Sequence, residues 1–348
     1  MRKVWRIVVI ALLAVVIVMS GTLMAKAAAN EGAASRVLMS DKLTGNYYNP
    51  TEGNYAPGLV LGSEIRRDHV LSVTFTDSLS GAPEDAWDVS AARDGSVLAW
   101  TTPAGAPEEV LAYAYSSMEA GYVPRPAAPE GDYYDLTVGS EGGVAASADC
   151  SNLFMAYLNV RSIHTNGYLD TSNVTDMSGM FRDARSLAEV DLSGFDTSGV
   201  EDMHSMFDGC ASLAELDLRG FDTSNVTDFS RMFFSCVNLM TLDVSGFNTA
   251  KAESMELMFA MCGDLESLDL RGFDTAEVTN MSHMFWSCGS LTELDLTSFD
   301  TAKAEKMERM FTLAEGLERI LVSERFVIPE GTDMQAMFYG CAADGLTM

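Results

Sequence analysis

Histidine is scarce in this chain, with four in 348 residues, at His69, His164, His204 and His283. Their positions are unrelated to one another, so neither a Ser-His-Asp nor a Cys-His nucleophile can be assembled from the sequence. Basic residues are also few, 22 against 50 acidic ones, for a formal net charge of −28. A surface this acidic cannot neutralise phosphates, which excludes nucleic acid and anionic membrane as partners. Phosphate-binding glycine loops and Gly-x-Ser-x-Gly elbows are absent. There are six cysteines, five of them at a spacing set by the repeat, with no histidine in step, so no zinc spacing is present. These absences point away from an enzyme and leave no cofactor or metal to assign. A hydrophobic fraction of 47% is nevertheless ample for a core.

What the chain does have is repetition. Met-Phe recurs at Met180-Phe181, Met206-Phe207, Met232-Phe233, Met258-Phe259, Met284-Phe285 and Met310-Phe311, always 26 residues apart, and Met337-Phe338 follows at 27. Self-similarity at a fixed period of this length is the mark of a solenoid. A degenerate coil opening at Leu153-Phe154 brings the array to about eight coils over 151–348.

Ahead of the array, residues 1–29 have the form of a secretory signal. Arg2, Lys3 and Arg6 precede the apolar run Ile7 to Met19, and Ala25-Lys26-Ala27 and Ala27-Ala28-Ala29 offer small-residue cleavage sites. An uncleaved segment would instead be an anchor, the chain's only tie to a membrane. Residues 30–60 read as a linker. Residues 61–150 read as a small β-rich cap that covers the open apolar edge of the first coil. Its expected strands are His69 to Thr76, Ala86 to Ser90 and Ser96 to Thr101 as a hairpin about Asp94-Gly95, Val110 to Tyr115, and Tyr133 to Val138. Tyr122 to Asp132 is proline-rich and reads as a loop.

Each repeat divides in two. The first half is Leu-x-x-Leu-x-Leu, as in Leu213, Leu216 and Leu218, with Asp217 facing away from the leucines as a short strand requires. The second half carries Val226, Phe229, Met232 and Phe233 at the stripe spacing of a short helix. The expected fold class is therefore an α/β solenoid, a leucine-rich-repeat-like stack of short parallel strands and short helices behind a β-rich cap. After Cys341 a further strand would be due, and the sequence reaches Met348 before completing another coil.

The stretch Phe221-Asp222-Thr223-Ser224-Asn225-Val226-Thr227-Asp228, with Met232-Phe233, Cys236 and Leu242-Asp243, resembles the BspA-like leucine-rich repeats of bacterial surface proteins, a family also known as a lactobacillus and mycoplasma surface repeat. The resemblance covers about 61–348. It implies a secreted or surface-exposed bacterial protein, adhesin-like in several relatives, with host extracellular-matrix or other cell-surface proteins or glycans as partners. It brings no catalytic residues.

Three sets of side chains are candidates for a role. Phe181, Phe207, Phe233, Phe259, Phe285 and Phe311 read as a buried spine. Cys210, Cys236, Cys262 and Cys288 fall three residues after a spine phenylalanine, where other coils hold Ala184 and Ala314. A small buried residue is interchangeable with alanine, so these thiols read as free and structural, although adjacent coils are also close enough for a disulfide. Asp191, Asp217, Asp243, Asp269 and Asp295 form an outward column. It reads either as a solvated face, whose carboxylates splay apart or bond neighbouring Thr, Ser and backbone groups, or as a binding face for a basic partner, and like charges stacked this closely are expected to raise the carboxyl pKa values or attract cations. Trp286 breaks its own column and is the one candidate exposed aromatic anchor. Asp170, Asp196, Asp222, Asp274, Asp300 and Asn248 read as turn residues. The functional expectation is a non-enzymatic surface binding protein. The other reading is a structural spacer or stalk of the cell envelope without a specific ligand.

Overall fold

The computed structural model describes residues 65–347, apart from 91–95, 106, 108–109, 118–120, 128–130 and 344. The expected signal segment, the linker and the Asp94-Gly95 turn lie outside the described residues.

The N-terminal region is built on β1 (Val70–Thr76), whose apolar positions alternate inward, as half-buried strands do. A single 3-10 turn, Arg67–His69, precedes it. Strand β2 (Trp87–Asp88) pairs antiparallel with β3 (Leu98–Ala104), which gives the expected hairpin. Strand β4 (Val110–Ser117) pairs antiparallel with β5 (Gly121–Ala127). The proline-rich stretch expected as a loop is therefore partly a strand. Pro124 and Pro126 fit a two-stranded ribbon, in which each strand has a free edge and proline is confined to such edges. Strand β6 (Tyr133–Gly139) pairs in parallel with β1 and antiparallel with β3. The short β7 (Val144–Ala145) pairs in parallel with β9 (Leu169–Asp170).

The cap and the repeats share one sheet. Strand β8 (Ser162–His164) of the first coil pairs in parallel with β1 on one side and with β10 (Glu189–Asp191) on the other, giving the order β10-β8-β1-β6-β3-β2. Strand β1 thus stands where a preceding coil would stand. A fully buried arginine fastens the junction: Arg67 donates from Nη1 to the carbonyls of Asn152, at 3.1 Å, and Met155, at 2.8 Å, and lies over the Tyr157 ring.

Beyond β10, strand pairing along the Leu-Asp-Leu segment is intermittent. Strand β11 (Glu215–Leu216) pairs with β12 (Thr241–Leu242), and β13 (Glu293–Leu296) pairs with β14 (Arg319–Val322). No pairing links β10 to β11, and the backbone at Leu268 forms no strand. The continuous elements are elsewhere. A column of parallel bridges joins Asp149, Asp176, Asp202, Asp228, Ser254, Asn280, Lys306 and Asp333, one per coil.

The short helix expected in the second half of each repeat is corrected by the structure, which has no α-helix among the described residues. Its place is taken by a run of turns. In the central coil the amides of Phe229, Arg231, Phe233 and Ser235 donate to the carbonyls of Ser254, Glu256, Met258 and Ala260 in the next coil, at 2.7–3.0 Å. The amides between them close tight turns, as Met232 to Phe229 and Phe234 to Arg231. Arg231 and Ser235 are both left-handed, with φ of 58° and 59°, and the same two slots are left-handed in the neighbouring coils, at Leu257, Met261, His283 and Ser287. A left-handed residue breaks the helical sense, so the backbone cannot bond to itself four residues back and turns its amides to the adjacent coil. Gly179, Gly209 and Gly340 occupy these slots at positive φ in other coils, where they escape the Cβ penalty.

Inside this ladder runs the phenylalanine spine. From Phe154 through Phe181, Phe207, Phe233, Phe259, Phe285 and Phe311 to Phe338, successive rings stack with centroids 5.2–5.9 Å apart and planes within 17° of parallel. The methionines before them are buried with them. A second internal ladder is polar. Thr171, Thr197, Thr223, Thr249 and Thr275 each accept from the amide of the residue that opens the next coil's turn and donate back to its carbonyl, at 2.8–3.0 Å. At the far end Thr347 bridges Leu321, so the chain past Cys341 does return to the strand side.

Candidate functional site

The cysteines lie within the stack. Cys210, Cys236, Cys262 and Cys288 are fully buried and free, and each Sγ donates to the carbonyl of a spine phenylalanine, Phe181, Phe207, Phe233 and Phe259 in turn, at 3.0–3.2 Å. Burial pushes these thiols up, Cys262 to about 12, so the nucleophilic thiolate is not formed at neutral pH. They are packing groups.

The five column aspartates are on the outer strand face. Asp217, Asp243 and Asp269 are exposed, and Asp191 and Asp295 are partly so. Each carboxylate accepts from the backbone amide two residues on and from that residue's side chain: Ser193, Arg219, Ser245, Arg271 and Thr297. The pKa values are therefore lowered, not raised as stacked like charges would suggest, because hydrogen bonds to the ionised form outweigh repulsion from the neighbouring coils. Asp217 and Asp269 fall to about 2, each gripped by an arginine through two bonds. Alternate coils thus carry their own countercharge, and Arg219 also faces Asp243 from one coil away.

A pH dependence follows. Folded pKa values held below the unfolded value of 3.8 contribute stability that is complete above that value and is lost as the pH falls through about 2. Thermal unfolding followed by calorimetry should show a midpoint that these residues leave flat down to about pH 4 and lower steadily below it. The double variant Asp217→Asn, Asp269→Asn should descend less steeply in that acid window. An identical descent would remove these carboxylates as the cause.

Where β10 and β11 fail to pair, a cleft of about 450 Å³ opens on this face. Asp191, Ser193, Asp217 and Arg219 stand around it, over Leu192, Phe195 and Phe221. The aspartates of the turn column, by contrast, serve the backbone: Asp170, Asp196, Asp222, Asn248, Asp274 and Asp300 each accept the amide two residues later.

Trp286 is not with the aspartate column. It follows the spine residue Phe285 in the turn segment and is half-buried, its ring edge-on to His283 at 5.9 Å. Against the expectation of an exposed aromatic anchor, the ring is only partly exposed. Its column is chemically mixed: Asp208 lies between Arg182, at 3.4 Å, and Arg231, at 3.2 Å, Arg231 also covers Phe234, and Tyr339 is 70% exposed. This irregular turn face and the regular strand face are two separate surfaces.

One grouping escaped the sequence reading, which assigned no metal ligand. Asp202, His204 and Asp228 bring a carboxylate, an imidazole and a second carboxylate within 4.8 Å of one another across two coils. Its only trace in the sequence is Asp-x-His followed by an aspartate 26 residues after the first.

In-register turns, rings, hydroxyls and thiols define a tandem-repeat protein in which each coil is bonded to the next. The chain belongs to the family described as "Mycoplasma protein of unknown function, DUF285", whose pattern matches residues 148–268 and again 234–345, together more than half of the chain. The two matches overlap because a periodic sequence satisfies a repeat pattern in more than one phase. No curated protein and no solved structure matches the chain.

Proposed function

We propose that the chain is a secreted or cell-surface, non-enzymatic binding protein of the adhesin kind, in which a BspA-like leucine-rich-repeat solenoid presents an acidic strand face to protein or glycan partners. The observation that supports this most is the column Asp191, Asp217, Asp243, Asp269 and Asp295, held ionised and outward beside the cleft floored by Phe195 and Phe221. Charges fixed at one-coil intervals suit a partner with an extended row of basic groups, and an apolar floor beside them adds area that excludes water. Host extracellular-matrix proteins and cell-surface polymers are the partner classes in view. Among the described residues no helix is long and apolar enough to cross a membrane. Display would depend on the segment 1–29 as a signal or, if retained, as an anchor.

The test is capture of matrix proteins and cell-wall polymers by the immobilised chain, repeated with all five column aspartates changed to asparagine. Expected is salt-sensitive binding that weakens by about tenfold or more in the variant. Equal binding by both proteins would overturn the acidic-face reading. The even spacing of the phenylalanine stack favours a second reading, an envelope spacer without a specific ligand. That reading requires that nothing in the panel binds either protein.

A further inference from the structure

We propose that Asp202, His204 and Asp228 form a binding site for one divalent transition-metal ion of the zinc class, clamped between two adjacent coils. The bridge column places Asp202 beside Asp228 one coil on, with Asp176 flanking on the other side. Two residues after each column member, the other coils hold Ser151, Ser178, Ser230, Glu256, Ser282, Glu308 and Gln335; only after Asp202 is it a histidine. Where Ser151 and Ser230 donate a hydroxyl to their aspartate, His204 turns Nδ1 to Asp202, 2.9 Å from Oδ1 and 3.1 Å from Oδ2. The imidazole nitrogen thus points at carboxylate oxygens, and a ligand oxygen of Asp228 lies within 4.8 Å of the other two donors.

The donor set identifies the class of ion. One neutral imidazole and two carboxylates match zinc and its neighbours in the first transition row. Calcium and magnesium prefer oxygen-only shells with more ligands. All three side chains are half-buried, so the ion would keep one position open to water. Because the ligands come from two coils, binding tightens an inter-coil contact that already exists and needs no rearrangement of the backbone. The site is independent of the strand face and of any partner that binds there.

Isothermal titration of the metal-stripped full chain with zinc chloride tests the proposal. Expected is one saturable site of micromolar affinity and a raised unfolding temperature on loading. His204→Ala and Asp228→Asn should each weaken binding by about tenfold or more. Both variants keep all six cysteines, so residual thiol binding would persist in them and be recognised as such. Their unfolding midpoints without metal should stay near that of the parent, since His204 is only half-buried and the asparagine keeps an oxygen to accept the Ser230 amide. If His204→Ala binds zinc as tightly as the parent chain, or if the parent shows no saturable site, the assignment is wrong.

Discussion

Phe259→Ala is expected to lower the unfolding free energy by about 4 kcal/mol, the upper part of the range for emptying an aromatic core position. Phe259 is fully buried and stacks on Phe233 at 5.7 Å and on Phe285 at 5.8 Å. Its removal costs the transfer of a whole ring, a cavity that flanking turns cannot collapse into, and two aromatic contacts at once. The turn ladder prevents relaxation, because the Phe259 amide is bonded to the Met284 carbonyl and its carbonyl accepts the Cys288 thiol. Phe338 gives the comparison: it stacks on Phe311 alone and is only partly buried. Phe338→Ala should therefore cost about half as much or less. In a stack where each coil meets only its neighbours, the central change should also uncouple the two halves, broadening the urea transition where the terminal change does not. A loss below about 1.5 kcal/mol for Phe259→Ala would mean that the rings fill space without holding the coils together.

Thr249→Val is expected to cost about 2–3 kcal/mol although the side chain keeps its shape. The Thr249 hydroxyl is buried and serves two backbone groups of one residue, accepting from the Asp274 amide at 2.8 Å and donating to the Asp274 carbonyl at 2.8 Å. Valine removes both partners and leaves an amide and a carbonyl facing a methyl group. Desolvation without replacement is the large term, larger than the net gain from either bond. Thr249→Ser restores the hydroxyl and should cost only about 1 kcal/mol for the missing methyl. Urea unfolding gives the energies, and exchange of the Asp274 amide proton gives the mechanism: fast in the valine protein, protected in the serine protein. Equal protection in both would show that the amide has another acceptor.

The repeat period was readable from Met-Phe alone, and so was the inward assignment of those side chains, because both depend only on which residues recur. The nature of the second half-repeat was not. A stripe at Val226, Phe229, Met232 and Phe233 arises equally from a helix and from tight turns that send every other amide to the next coil. The distinguishing signal was Gly179 and Gly209, placed where a helix interior would resist glycine and where the backbone is in fact left-handed. The aspartate column faces outward, and its bonds to Ser193, Ser245 and Thr297 follow from the solvated-face reading; the pKa values are lowered where stacked like charges would raise them. Repulsion between coils is visible in the spacing. That bonds within each coil outweigh it is not, least of all the grip of Arg219 and Arg271 on Asp217 and Asp269. Trp286 and His204 were hard to place for another reason: their partners are in local turns or one period away, and neither relation shows as a motif.

The interchangeability of the contacts makes the coil a genetic cassette. Each joint uses the same four amide bonds and the same ring-on-ring contact, so recombination between repeats can add or delete a unit without creating a mismatched surface. Each such event alters reach by one ring-to-ring step of 5.2–5.9 Å and keeps every outward column in phase. The 27-residue step from Phe311 to Phe338 shows the tolerance of the scheme. Its extra residue falls between Val322 and Phe326, while Met307, Arg309, Phe311 and Leu313 still reach Asp333, Gln335, Met337 and Tyr339. Length can thus evolve as a variable separate from surface chemistry, and descendants of such a chain can tune how far they extend before changing what they touch.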